Sequence, residues 1–372
     1  MPKALVLPES FRIFKKVQVD TREDTISNIS SFFEVKKGKL NRHYKKHSSG
    51  FASWEQLAHA EDYLLFAENV GPYLSIDEVS LSQGELYTFI TNKAGKGKQG
   101  SLVAVVQGTQ AKDISAVLMK LPADKRFTVK EVTLDMAKNM EAAVKSTFTN
   151  ASLVTDRFHV ARLALEALQH LRVKKRWEEM DKENEAIKAA REAKKKHEAE
   201  LIENENNAAA LARIIAETDI STHKYEPEIL ENGDTTKQLL ARCRYILAKK
   251  KEDWTQNQQQ RAAILFHKYP ELEHAYHHVL AFRNIYEDTN KNSAETRFNK
   301  WINEVAEKEM KVFYTVANTV KYNLENILNF FINRNTNANA ESFNSKIKLF
   351  RANQRGVVDT KFFLFRLHKL FA

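Results

Sequence analysis

Tyr73-Leu74-Ser75-Ile76-Asp77-Glu78-Val79-Ser80-Leu81 is an apolar, strand-like run broken in its middle by two acids. An aspartate inside such a run is costly to bury unless it is paired or holds a cation. The chain changes texture after it. Eight of the ten glycines fall at or before Gly108, and only Gly233 and Gly356 follow. From Ala151 to Arg355 the only other strong breakers are Pro227 and Pro270, which predicts an almost wholly helical stretch.

After the acidic run, Glu85–Asn92 and Ser101–Gln107 read as two further strands. The loop between them, Lys93-Ala94-Gly95-Lys96-Gly97-Lys98-Gln99-Gly100, lacks phosphate-loop spacing and reads as a solvated turn. Next come a helix near Lys112–Leu121, a strand reaching Asp135 in Val132-Thr133-Leu134-Asp135-Met136, a helix over Ala137–Phe148 and a strand Ser152–Thr155. Three meandering strands followed by alternating helix and strand predict an α/β fold, a mixed sheet covered by helices. Asp77 and Asp135 are 58 residues apart (135 − 77), on strands this order can make neighbours. Asp135 ends its strand, the place where open α/β sheets bind ligands.

A third acid lies in Asn339-Ala340-Glu341-Ser342-Phe343-Asn344. A helix over 341–351 puts Glu341, Asn344, Ser345 and Lys348 on a polar face, with Phe343, Ile347 and Phe350 opposite. Two cations roughly 3.5–4 Å apart stabilise the attacking and leaving oxygens of a phosphodiester. Magnesium takes hard oxygen ligands, so three carboxylates on rigid elements can hold such ions. For Asp77 or Asp135 taken singly, a salt bridge to a lysine explains a buried acid equally well.

The 372 residues carry 58 Lys and Arg against 48 Asp and Glu, a formal charge of +10 that suits a polyanionic partner. Cys243 is the single cysteine, which excludes a disulfide framework or a cysteine-based zinc site. With 43% hydrophobic residues and no run of 18 apolar ones, a globular intracellular protein without a membrane span is expected.

Residues 20 to 50 read as a helix pair. Asp24 or Thr25 caps a helix with Ile26, Ile29 and Phe32 on one face, and Val35 points inward from the turn. The second helix, Lys39 to Lys46, buries Leu40 and Tyr44 and exposes Lys39, Arg42, His43, Lys45 and Lys46. This is the arrangement of a helix-turn-helix, and equally of an ordinary hairpin with a basic face. Lys174–Glu200 reads as an exposed helix with Glu178–Lys182 and Lys188–Glu192 pairs. Asp156 and His159 share a face at a strand-to-helix junction, as helix cap and neighbour or as a second layer ordering the three acids. His274, His277 and His278 lack acidic company at ligand spacing. Beyond Phe331, Lys346, Lys348, Arg351 and Arg355 cluster on or just past the glutamate helix and suit phosphate contacts.

Ile76-Asp77-Glu78, Leu134-Asp135-Met136, Asp156-Arg157-Phe158-His159 and the Glu341 segment resemble the signatures of bacterial insertion-sequence transposases of the Asp-Asp-Glu type. The resemblance implies an RNase H-like catalytic domain split by a long helical insertion before the glutamate. It implies Asp77, Asp135 and Glu341 as catalytic metal ligands and Mg²⁺ as cofactor, with Mn²⁺ as substitute. DNA contacts are expected from Lys39, Arg42, Lys46, Asn344, Lys348, Arg351 and Arg355. The implied layout is an N-terminal helix-turn-helix-like region (1–70), a first catalytic segment (71–156), an all-helical insertion (157–335) and the glutamate helix to the C-terminal end (336–372). The implied partners are terminal inverted repeats, target DNA and a second copy or more on paired ends, in the bacterial cytoplasm and on the nucleoid when DNA is bound. Related transposases often begin with a cysteine-rich zinc region, which one cysteine cannot supply. A non-catalytic DNA-binding descendant of a transposase is the alternative.

Overall fold

A computed structural model describes residues 16–22, 24–82, 84–203, 207–208, 225–354 and 356–372. The described residues group into two compact units, one within Met1–Val160 and Asn323–Ala372, the other within Ala161–Tyr322.

After a helical stretch over residues 16–21, the first unit has a helix pair, α1 (Ile26–Phe32) and α2 (Lys37–His43), the latter continued by a π-helical turn over Tyr44–Ser48. Thr25 caps α1 by accepting from the Asn28 amide at 3.0 Å, and Asp24 accepts from the Thr25 amide. Ile29, Leu40 and Tyr44 form the small core, with Ile26, Phe33 and Val35 packed on it. Phe32, expected inside, is 80% exposed. The buried stripe runs Ile26, Ile29, Phe33, and the position seven residues on lies closer to the stripe axis than the one six on.

Six strands follow: β1 (Tyr63–Leu65), β2 (Tyr73–Ser82), β3 (Glu85–Asn92), β4 (Leu102–Gln107), β5 (Glu131–Leu134) and β6 (Ser152–Thr155). Their order across the sheet is β1-β4-β3-β2-β5-β6. The pairs β1/β4, β4/β3 and β3/β2 are antiparallel, whereas β2/β5 and β5/β6 are parallel. The mixed sheet of the expected α/β class is therefore present, with one strand more than the pattern showed. β1 is only three residues long, too short for a period to register. The helices of this stretch are α3 (Ala111–Leu118), α4 (Ala123–Thr128) and α5 (Lys138–Thr147), of which the six-residue α4 was not anticipated.

Alternation along β2 assigns the two faces. Leu74 and Ile76 join Ile114, Leu118, Met140 and Val144 in one core, which also takes Val132 and Leu134 of β5. Val79 and Leu81 point to the other core, shared with Phe343, Ile347 and Phe350 of α14 (Ala338–Asn353) and with α15 (Thr360–Phe371). Asp77 has the parity of Val79, so it lies on the α14 side. In the parallel register Tyr73 faces Glu131 and Ser75 faces Thr133, an offset of 58 (131 − 73). That offset equals the Asp77–Asp135 separation; the pairing itself ends at Ser75–Thr133, and Asp135 lies one residue past β5.

Two short helices, α12 (Leu324–Leu328) and α13 (Phe330–Asn333), belong with the sheet rather than with the helical stretch in which they were expected. Asn329 donates to the Leu153 carbonyl of β6 at 2.9 Å, and Asn333 to Glu131 of β5 at 3.1 Å.

The second unit takes up α6 (Arg157–Glu203) from Ala161 onward, then α7 (Thr236–Arg242), α8 (Gln256–Lys268), α9 (Pro270–Ile285), α10 (Lys291–Glu307) and α11 (Tyr314–Tyr322). Its core is aromatic: Phe282 meets Trp301 edge-on, and His278 stacks on Trp301 with centroids 4.4 Å apart. Along α6 the ion pairs differ from those expected. Lys182 pairs with Glu179 at 2.8 Å and Glu178 with Lys175 at 3.1 Å, both three residues apart, while Lys188–Glu192 is present at 3.9 Å. No described helix is long and apolar enough to cross a membrane.

Candidate active site

Four acids and one histidine of the first unit gather where β2, β5 and β6 meet the starts of α6 and α14. Asp77 is half-buried on β2. Its Oδ1 accepts from the Glu78 amide at 2.8 Å and its Oδ2 from the Asn344 side-chain amide at 2.6 Å. Asp135 follows the last residue of β5 and accepts from the Ala137 amide at 2.8 Å, a local turn that leads into α5. Glu341 sits in the first turn of α14, where the helix dipole favours an acid.

Asp156 follows β6, and its amide donates to the Leu134 carbonyl at 2.9 Å, tying it to the end of β5. Its Oδ1 lies 3.5 Å from the Phe158 amide and 3.4 Å from the Asn337 amide. It therefore starts α6 and reaches the residue that starts α14. Ligand atoms of Asp156, His159 and Glu341 lie within 4.8 Å of one another.

Electrostatics follow from this crowding. Burial raises the Asp77 carboxyl above its usual range. The Glu78 amide, His159 and Lys348 pull it back, and the charge of Asp135 pushes it further up. Burial also raises Glu341, with Asp156 and Asp77 adding to the shift and His159 opposing it. Glu78 is raised by burial and then by Asp135 and Asp77. Packed carboxylates of this kind favour bound protons or cations.

Beneath the cluster lies a pair that sequence reasoning missed. Lys93, expected in a solvated turn, is buried and donates to Glu131 Oε1 at 3.2 Å and to the Thr133 hydroxyl. Burial lowers its ammonium, while Glu131 and Asp156 hold it up. The signal was available in β5: Glu131, Thr133 and Asp135 share one face by the period of two, so an inward Glu131 required a cation. The same loop is tied to α14, because Lys346 donates to the Gly97 carbonyl at 2.8 Å.

The residues expected on DNA divide. Lys39, Arg42, Lys46 and Lys348 are exposed. Asn344 is not: it is 5% exposed and spends its amide on Asp77. Arg351 is half-buried and donates to the Ser80 carbonyl at 2.5 Å. Arg355 lies outside the described residues. Lys45, expected on the exposed face, is half-buried, pairs with Asp359 and rests over Phe51 and Phe362. Among the grouped histidines, His278 is buried and His277 lies 3.8 Å from Glu273 on an exposed face.

The donor set fits a hard divalent cation. It is rich in carboxylate oxygen, and the buried Asp156 Oδ2 finds no hydrogen-bond partner among the described residues.

Fold and site together define a class: α/β proteins with a carboxylate cluster where adjacent parallel strands end. The family follows from the sequence, because residues 74–367 match the family of DDE transposases of the ISL3 type, described as Transposase. The match covers well over half of the chain, which therefore belongs to this family of insertion-sequence transposases, DNA-binding proteins of transposition and recombination. No curated protein and no solved structure matches the chain.

Proposed function

We propose that the chain is an active transposase that cuts a DNA strand at the ends of its element and joins the freed 3′-hydroxyl to target DNA. Asp77, Asp135 and Glu341 are its catalytic carboxylates on an RNase H-like sheet. The observation that carries this reading is that Asp77 and Asp135 lie close together, the charge of Asp135 acting on Asp77 across the paired strands β2 and β5, with the glutamate helix bonded to Asp77 through Asn344. Bound magnesium supplies charge stabilisation to the attacking and leaving oxygens of the phosphodiester.

The protein's own part is placement. Asn344 fixes one Asp77 oxygen and the Glu78 amide the other, so the carboxylate is oriented before substrate arrives. The Ala137 amide does the same for Asp135. Lys348, exposed on the polar face of α14 and close enough to act on Asp77, is placed to meet a backbone phosphate. In the helix pair, Lys39, Arg42 and Lys46 form the exposed side of α2 and its extension and act as a helix-turn-helix reading element ends. The unit within Ala161–Tyr322 is the insertion between the second aspartate and the glutamate. Synapsis on paired ends requires at least two copies.

The test is a supercoiled plasmid bearing the ends of the encoding element, incubated with the protein with and without Mg²⁺. Metal-dependent nicking at the ends, followed by joined products, is expected. End binding without any cleavage would instead mark a DNA-binding descendant.

A further inference from the structure

Asp156 differs from the other acids of the cluster. It is 1% exposed, and its Oδ2 has no hydrogen-bond donor among the described residues. The His159 Nε2 faces that oxygen from 3.9 Å, too far for a hydrogen bond. A buried carboxylate oxygen left in this state is costly unless something fills the gap. Glu341 completes the group, with the three ligand atoms within 4.8 Å of one another.

We propose that Asp156, His159 and Glu341 bind one divalent cation directly, so that Asp156 and His159 are ligands rather than a supporting layer. The proposal rests on reading the carboxylate cluster as a metal centre. Ligand atoms around an ion at 2.0–2.1 Å sit about 3 Å from their neighbours. The trio must therefore contract by less than about 2 Å, within the reach of side-chain rotation. Asp156 is the fixed member, because the Phe158 and Asn337 amides lie on its Oδ1 side and leave Oδ2 facing the group. His159 and Glu341 are half-exposed and supply the movement. The spacing of Asp156 and His159, three apart at the start of α6, puts both on one side of that helix.

The imidazole determines which ion is preferred. Magnesium favours oxygen ligands throughout, whereas nitrogen suits first-row transition ions. A set of two carboxylates and one imidazole therefore favours Mn²⁺ over Mg²⁺, while Asp77 and Asp135 provide an all-oxygen set beside it.

The experiment titrates the full-length protein with Mn²⁺ alone and with Mg²⁺ alone, by calorimetry. Pulsed electron paramagnetic resonance then looks for nitrogen coupling to bound Mn²⁺. Nitrogen-coupled Mn²⁺ is expected in the wild type and in Asp77→Asn, and its loss in His159→Gln. Asp156→Asn should weaken Mn²⁺ binding by at least about tenfold. His159→Gln should bring the Mn²⁺ and Mg²⁺ affinities closer together, and its half-exposed side chain makes it the variant least prone to misfold. Nitrogen coupling absent from wild type, or retained in His159→Gln, overturns the proposal. If Asp77→Asn still abolishes cleavage in that case, the proposed function stands without it. Failure of the wild type to bind or use any divalent cation would remove both.

Discussion

Asn344 sits at the hinge between the chemistry and the scaffold, with its backbone in α14 and its side chain on Asp77. Asp77→Asn, Asp135→Asn and Glu341→Gln should each abolish strand cleavage in a plasmid assay while DNA binding stays within a few-fold. Since burial and neighbouring acids already raise Glu341, its charge is a strain on the fold. Glu341→Gln should therefore leave the melting temperature unchanged or slightly higher. Asn344→Ala should lower the rate and leave DNA affinity near wild type, because it frees a carboxylate without touching substrate. A second prediction concerns pH. Burial lowers the His278 imidazole from 6.5 to about 4, so the folded state keeps it neutral. Its contribution is complete above pH 6.5 and is lost as pH falls from there toward 4, up to about 3 kcal/mol in all. Melting temperature against pH should fall less steeply over that window in His278→Gln. At this scale the nearness of Asp77 to Asp135 and to Glu341 was legible, because each acid interrupts or faces an apolar pattern. Lys93 was not, because a lysine among glycines looks solvated until its partner on another strand is known.

The elements succeed or fail by length. β2, β3 and α14 run long enough for their periods to show, and Phe343, Ile347 and Phe350 are all buried as the helical stripe requires. β1 and α4 are too short to carry a period, and tertiary pairing alone makes them visible. Phe343 packs on Phe89 of β3 and Phe371 of α15, so Phe343→Ala should cost about 3–5 kcal/mol and reduce folding and cleavage together. A urea titration checks the first effect and the plasmid assay the second. The helix pair has its own test. Arg42→Ala with Lys46→Ala should weaken binding to element ends and reduce the salt slope by about two if both meet phosphates. An unchanged slope would leave α2 as a solvated basic face. Arg366 explains how this pair is held: buried, it donates to the carbonyls of Val19 and Arg22 and lies over Tyr44 and Phe350.

The sheet-bearing unit is made of two lengths of chain, 1–160 and 323–372, and neither completes it alone. The class of fold was legible in the order of strands and helices. The return of the chain was implied by Glu341, but the place of return was not, because Asn326, Asn329 and Asn333 fall inside the expected helical stretch and no pattern in the sequence marks their partners. They are in fact bonded to α5, β6 and β5. This division sets an order in time. During synthesis, at about 5–20 residues per second, the 206 residues between Asp135 and Glu341 take roughly 10–40 s to appear. Through that interval Val79, Leu81, Phe89 and Val105 lack the aromatic cover of α14 and α15. The unfinished protein then presents a sticky sheet, a natural client for chaperones, and lacks Glu341 and the Asn344 amide that Asp77 accepts from. Under the proposed function, the nascent chain has no third carboxylate, and so no cleavage, until the segment that carries Glu341 has been made.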